Sequence, residues 1–167
     1  LIADLQINGS KVHLVLIGDG PERPALEKLA AELGILASVT FTGEVPLAKQ
    51  WLPAFDIFVF TSVDEGMPNV VLEAGAAGLP IVTWELPFYR EILENEKSGL
   101  LVETGNMQKL EEAVSRLIDS RLLRARLGAE AQAHVLREFS LERFITGMSS
   151  AYQAVLRGDK PSGEFAP

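Results

Sequence analysis

The stretch Asp56–Val82, DIFVFTSVDEGMPNVVLEAGAAGLPIV, constrains the fold of this chain more than any other. A short apolar strand, Ile57–Phe60, runs out at Thr61-Ser62. An acidic loop, Asp64-Glu65-Gly66, follows, and a small-residue helix starts near Asn69. Gly78 and Pro80 stop that helix, and a second strand begins at once with Ile81-Val82. A strand, a helix and a strand in such quick succession read as a right-handed parallel crossover. Its loop lies at the carboxyl end of a strand beside a helix N-terminus, where α/β proteins usually take anionic ligands.

The same alternation extends along the chain. Lys11–Ile17 is a nearly continuous apolar run, as expected of a strand buried on both faces. It breaks at Gly18-Asp19-Gly20-Pro21, and a helix follows to about Leu33 with Leu26, Leu29, Ala30 and Leu33 on one face and Gly34 as its cap. Ser38–Thr42 reads as a second strand closed by Gly43, and Leu47–Phe55 as a short helix carrying Trp51. Pro80–Trp84 is a strand, Phe88–Glu94 a short helix and Gly99–Val102 a last strand. Three helices finish the chain, capped by Asn106, Ser120 and Ser140. The expected fold is therefore α/β, a Rossmann-like parallel sheet with helices on both faces. One domain spans residues 1–157, with a loose tail over 158–167. The loops at Gly18, Gly43, Ser62 and Trp84 should converge on one edge of the sheet.

Composition removes several classes of function. The chain has 167 residues, net charge -8 and no cysteine. With no Lys/Arg cluster, a nucleic-acid surface is not expected. Disulfide and thiolate chemistry are absent, which fits a reducing compartment. No apolar run approaches the roughly 18 residues of a membrane span. A chain opening at Leu1, inside a helical pattern, reads as an excised domain or a trimmed sequence.

Chemistry is expected from Glu65 and Glu73. In a chain rich in glutamate their spacing alone is weak evidence. Their context is stronger, since Glu65 lies on a Gly/Pro loop after a strand and Glu73 lies among Val70, Val71, Leu72, Ala74 and Gly75. A helix so apolar is expected to be buried, and a buried carboxylate costs several kcal/mol unless it is satisfied. Glu73 then either accepts from a neighbouring donor, favours the helix N-terminus, or serves a ligand. His13 reads as a hydrogen-bonded core residue, His134 as structural or solvated, and Trp51 and Trp84 as packing. Arg121, Arg124, Arg126 and Arg137 read as a solvated helix face. Gly18-Asp19-Gly20 is not a nicotinamide fingerprint, because Arg23 stands where a third glycine would fall.

The string EGMPNVVLEAGAAGLPIV resembles the signature of the retaining "group 1" glycosyltransferases of GT-B fold. In the same order, VHLVLIGDGPERPALEKLAAELGI, VTFTGEVP, WLPAFDIFVFTS, SGLLVETGN and FSLERFITGMSSAY resemble further segments of that family. The resemblance covers nearly the whole chain and implies the C-terminal, donor-binding half of such an enzyme. It implies that Glu65 faces the donor sugar at the reaction centre and that Glu73 binds the ribose hydroxyls. Gly66, Met67, Pro68 and Asn69 match the loop along the sugar, and Asn69, Val70 and Val71 the helix start that receives the diphosphate. Gly43, Glu44 and Val45 match the loop beside the nucleobase, with Gly18 on the same edge. The implied ligand is a nucleotide-diphosphate sugar used as substrate, with no cofactor. No Asp-x-Asp pair occurs in the chain, which fits a metal-independent hexosyltransferase. The implied setting is cytoplasmic, reaching a membrane surface only through another domain.

Several features depart from that pattern. The family's Arg/Lys pair for the diphosphate belongs to a segment before the position of Leu1, and its acceptor domain is a separate half. Where the family has a glycine-rich loop, this chain reads Leu86–Glu91, and Arg90 either approaches the donor or pairs with Glu91 or Glu94. The family's first strand lies mid-sheet, so without it the sheet is expected to show a gap or a rearrangement. A gap filled by a second chain would make a homo-oligomer. The rival expectation is a nucleotide-binding or interaction module on a Rossmann-like frame, without transferase activity.

Overall fold

The computed structural model describes residues 1–158. The elements run α1 (Ile2–Ile7), β1 (Leu14–Leu16), α2 (Arg23–Glu32), β2 (Val39–Phe41), β3 (Phe58–Phe60), α3 (Asn69–Ala76), β4 (Ile81–Trp84), α4 (Pro87–Ile92), β5 (Leu100–Val102), α5 (Met107–Asp119), α6 (Arg121–Glu138) and α7 (Leu141–Leu156). Two 3-10 helices, Leu36–Ser38 and Ala48–Ala54, flank β2. The first of these was not expected from the sequence. The tail expected over 158–167 lies outside the described residues from position 159 onward.

All strand pairs are parallel, and the strands form two sheets, β2-β1 and β3-β4-β5. Helices cover both faces. The pairings fit the two halves of a doubly wound order. The edge of β1 away from β2 and the edge of β3 away from β4 pair with no strand among the described residues. The sheet is thus split where a break was expected.

The core belongs to the three-stranded sheet. Every residue of β4 and β5 is buried, and Val71, Ala74, Tyr89, Ile92, Leu110, Leu117 and Leu127 pack around them. Each such valine, leucine or isoleucine side chain stabilises by about 1.5–3 kcal/mol when fully buried. By contrast, every residue of β1 and β2 keeps some exposure. The expected apolar face of α2 is uncovered among the described residues: Leu26, Leu29 and Leu33 are 44%, 48% and 51% exposed, and only Ala30 is buried.

Local chemistry explains the helix bounds. The side chains of Asn106, Ser120 and Ser140 each accept the backbone N–H three residues on, at 3.1, 3.2 and 3.2 Å, as their sequence positions implied. Gly34, at φ +69°, closes α2. Gly78, at φ +77°, closes α3, and the chain turns so that the Pro80 carbonyl accepts the Phe58 N–H at 3.0 Å. That bond sets β4 beside β3, so the helix stop and the strand register are one feature. Arg124 is not simply a solvated residue. Its guanidinium donates to the Leu117 and Ile118 carbonyls and so closes the end of α5.

Candidate functional site

The segment between β3 and α3 is held at both ends and open between them. Beyond Phe60 the chain leaves the sheet. The Phe60, Thr61 and Ser62 carbonyls each accept a side-chain donor instead: the Thr83 hydroxyl at 2.7 Å, the Trp84 indole N–H at 2.8 Å and the Tyr89 hydroxyl at 2.9 Å. At the far end Pro68 is buried and its carbonyl accepts the Val71 N–H at 2.8 Å. Val63, Asp64, Gly66 and Met67 are exposed between these anchors, and Glu65 is half-buried.

Two expectations about α3 need correction. Asn69 is a residue type that caps helices well, but α3 starts at Asn69 with Pro68 as its N-cap, so Asn69 is its first residue and not its cap. No side chain caps it, because proline offers no acceptor there. The Asn69 N–H turns back to the Met67 carbonyl at 2.9 Å, and the Val70 N–H has no acceptor among the described residues. Glu73 is exposed, not buried: α3 buries Val71, Ala74 and Gly75 and turns Asn69 and Glu73 outward. Neither the Glu65 nor the Glu73 carboxylate makes a hydrogen bond or ion pair among the described residues, so both are available to a ligand. An exposed anion at Glu73 also removes the desolvation problem that burial would have posed.

A second corner forms at the ends of β1 and β2. The Gly18 N–H donates to the Gly43 carbonyl at 3.0 Å, joining the two loops. Both glycines have positive φ, +125° and +69°, a conformation that disfavours a side chain. Beside them Arg23 reaches the Asp19 carboxylate at 3.1 Å and that of Glu27 at 2.8 Å, and lies 5.9 Å over the Phe41 ring. A Cβ at position 43 would come within 3.2 Å of its guanidinium. Its bond to Glu27 first, and Asp19 next, hold the Arg23 guanidinium charged beyond its usual range. Sequence reading noted Arg23 only as a break in a glycine motif; its nearness to Gly43 is a tertiary fact. Glu44 is exposed and Val45 half-buried on the loop that leads into the Ala48–Ala54 3-10 helix, which packs against α3. The four converging loops thus appear as two joined pairs, Gly18 with Gly43 and Ser62 with Trp84–Tyr89.

Among the remaining candidates, Trp84 and His134 fall where expected, and Trp51, His13 and Arg90 do not. Trp84 is buried, although its indole N–H also holds Thr61. Trp51 is 43% exposed. His13 is hydrogen-bonded, to the Thr40 hydroxyl at 2.8 Å, but it is exposed and precedes the short β1. His134 meets Arg137 at 3.3 Å. Arg90 forms a surface salt bridge, with Glu85 at 2.9 Å and not with Glu91 or Glu94. A shallow cleft of about 360 Å³ runs beside that pair to His134, away from α3. No group of three or more His, Cys, Asp or Glu placed to hold a metal occurs among the described residues. No described helix is long and apolar enough to cross a membrane.

Comparison with known proteins gives consistent matches. The sequence model of the family described as "Glycosyl transferases group 1" matches residues 1–134. The lipopolysaccharide core biosynthesis glycosyltransferase LpsE of Rhizobium meliloti is 34% identical over 131 residues, covering 78% of this chain and 38% of that protein. LpsD of the same organism is 38% identical over 134 residues, covering 80% and 39%. The chain thus spans about two-fifths of the length of these relatives. Among solved structures, Anabaena Alr3699/HepE in complex with UDP superposes with TM-score 0.82 at 23% identity, over 91% of this chain and 44% of that one. The C-terminal domain of a group 1 glycosyltransferase, LpcC, from Francisella tularensis superposes with TM-score 0.71 at 24% identity, over 77% and 70%.

Proposed function

The chain belongs to the group 1 glycosyltransferases, whose family model matches residues 1–134, and from that premise we propose that it is the donor-nucleotide-binding domain of a retaining GT-B enzyme. The whole enzyme would move a hexosyl group from a nucleoside-diphosphate sugar to an acceptor held by a separate domain. Anomeric configuration is retained, and no metal or cofactor takes part. Glu65 faces the sugar, Glu73 accepts both ribose hydroxyls, and the N–H groups at the start of α3 receive the diphosphate. Gly18 and the Gly43–Val45 loop flank the base.

One observation carries this reading. Among the described residues, two carboxylates without a partner flank an uncapped helix start whose Val70 N–H lacks an acceptor. Cleavage of the anomeric bond puts negative charge on the departing diphosphate. Fixed N–H donors stabilise that charge without reorganising. A ribose diol supplies the two donors that Glu73 lacks. The Anabaena HepE neighbour has been solved with UDP-glucose, which supports a donor of this class. Residues 61–79 contain no Lys or Arg. Charge neutralisation therefore falls on groups outside this loop and helix, and the isolated chain is expected to bind nucleotide weakly and to transfer nothing.

Calorimetry with UDP, GDP and ADP tests the proposal. One of them should bind, and Glu73→Ala should weaken it by about ten-fold or more, the cost of losing hydrogen bonds to a charged acceptor. Absence of binding at millimolar concentration, with Glu73→Ala without effect, would sink the donor site. Sugar transfer by this chain alone would refute its predicted inactivity. The split sheet favours a second reading, a nucleotide module without transferase activity. That module would bind a nucleoside diphosphate and its sugar derivative equally, whereas a donor site prefers the sugar derivative.

A further inference from the structure

The Glu65 loop owes its placement to side chains that lie outside it. Phe60 is the last β3 residue in register with β4, where it pairs with Thr83. Past that point the backbone has no ladder partner, and three successive carbonyls accept from Thr83, Trp84 and Tyr89. The donors are 0%, 5% and 0% exposed. Buried donors of this kind are costly to leave unpaired, so each fixes its carbonyl firmly.

Tyr89 is the outermost of the three and the nearest to Glu65 along the loop. It reaches from α4 rather than from β4, and its ring is wedged edge-on to Phe60 at 6.2 Å and against Phe88 at 4.4 Å. A wedged ring leaves the hydroxyl one position, 2.9 Å from the Ser62 carbonyl. From Ser62 to the next anchor, Pro68, no side chain of the loop makes a hydrogen bond among the described residues. The two ends of the loop therefore decide where Glu65 stands.

We propose that Tyr89 is a positioning residue, whose hydroxyl fixes the Ser62 carbonyl and thereby aims Glu65 and the Gly66–Pro68 backbone at the donor sugar. The proposal rests on the donor-site reading above. Burial first, and the nearby Glu65 charge as well, push the Tyr89 phenol above its usual value, while the Thr83 hydroxyl opposes them. The phenol thus stays protonated and keeps donating at neutral pH. Misplacing a positioning group by a fraction of an ångström is enough to lose productive geometry.

Tyr89→Phe keeps the wedge and deletes only the donor. Two measurements decide the matter. In the free chain, NMR order parameters of the amides at residues 63–67 should fall below about 0.6, with β4 and β5 amides unchanged, since only the loop is released. Titrations then compare UDP with UDP-glucose, GDP with GDP-mannose and ADP with ADP-glucose. For the pair that the wild-type chain binds, the preference for the sugar derivative should fall by about ten-fold, the effect of one misdirected charge-assisted contact. Affinity for the bare diphosphate should stay within about two-fold, since the α3 start is held at Pro68. Thr83→Val, which removes the first donor at nearly constant volume, should give a smaller change of the same kind. Unchanged order parameters at 63–67 in both variants overturn the proposal alone. Lower order parameters with an intact sugar preference also overturn it, because the loop would then move without consequence for the donor. Failure of the wild-type chain to bind any of the six probes overturns the donor reading instead, and the order parameters separate the two failures.

Discussion

Glu65 and Glu73 show how far residue-level reading reaches. Their separation and their Gly/Pro and small-residue surroundings are plain in the sequence, and so is the helix that joins them. Exposure is not, because it depends on which elements stack over α3. The helix turns Val71, Ala74 and Gly75 inward, and nothing among the described residues covers Glu73. Asn69 looked like a cap by residue type, but a buried Pro68 already occupies the last non-helical position. Glu96 was not legible at all. It adopts a left-handed conformation, φ +64°, and its carboxylate takes both arms of the Arg116 guanidinium at 2.7 and 2.8 Å. Arg126 donates to its carbonyl at 3.1 Å. The Arg116 hydrogen bonds, more than any other cause, hold the Glu96 carboxyl below its usual range, against the opposing effect of burial. With the folded value depressed, the pair stabilises the chain above the unfolded glutamate pKa, about 4.3, and that contribution fades as pH falls through the folded value. Both side chains are about half exposed, 53% and 49%, so the pair contributes under about 1 kcal/mol. Glu96→Gln should therefore melt slightly below wild type at neutral pH. The gap between the two curves should narrow as pH falls below about 4.3 and through the lower folded value. A gap that stays undiminished over that fall would rule the ion pair out as its source.

At the scale of elements, caps and periodicity read well, and close approach does not. The three capped helices at the end of the chain begin where their Asn and Ser residues placed them, whereas the run Lys11–Ile17 shrinks to β1, Leu14–Leu16. A strand is only as long as its partner's register allows, and β2 is equally short. The contact that sets the direction of α3 is between α3 and α6, through two glycines. A Cβ at Gly75 would lie 2.8 Å from a Val135 methyl, and one at Gly128 only 2.1 Å from the Gly78 carbonyl oxygen. Gln132 adds a bond to the Ala76 carbonyl at 2.9 Å. These contacts grip the C-terminal end of α3 and so fix where its N-terminus points. Alanine at position 128 should gain up to about 1 kcal/mol of helix propensity. The clash is with backbone, which cannot rotate away, and overpacking typically costs about 1–3 kcal/mol or more. The clash should win, lowering the melting temperature of Gly128→Ala by about 4 °C or more. Gly147, on α7, has nothing within 4 Å of its ideal Cβ. There propensity acts alone, and Gly147→Ala should raise the melting temperature by about 2 °C. Equal shifts for the two variants would mean that α6 does not press on α3 as described.

The whole molecule is unevenly built, and that unevenness could be expected only in outline. Strand–helix alternation points to a parallel sheet, and the family's strand order points to a break in it. Which half keeps the core follows from packing. α3, α5 and α6 all lie against the three-stranded sheet, so β4 and β5 are fully buried, while β1 and β2 have α2 and a 3-10 helix beside them and no fully buried residue. The leucines of α2 face outward, so the β1-β2 unit gains little of the apolar burial that stabilises its neighbour. Local stability should follow burial, because exchange occurs through the least costly opening available to each unit. Amides of Leu14–Leu16 and Val39–Phe41 should therefore exchange at least about a hundred-fold faster than those of Ile81–Trp84, a gap typical of separate cooperative units. A ligand spanning the Gly18–Gly43 corner and the start of α3 would bind both units at once. Saturating nucleotide should then slow exchange at Leu14–Leu16 and Val39–Phe41, because a ligand that binds only the closed form stabilises everything it touches. If β1 and β2 exchange at the rate of β4 without nucleotide, the two sheets already open together, and the chain is one cooperative unit despite the split.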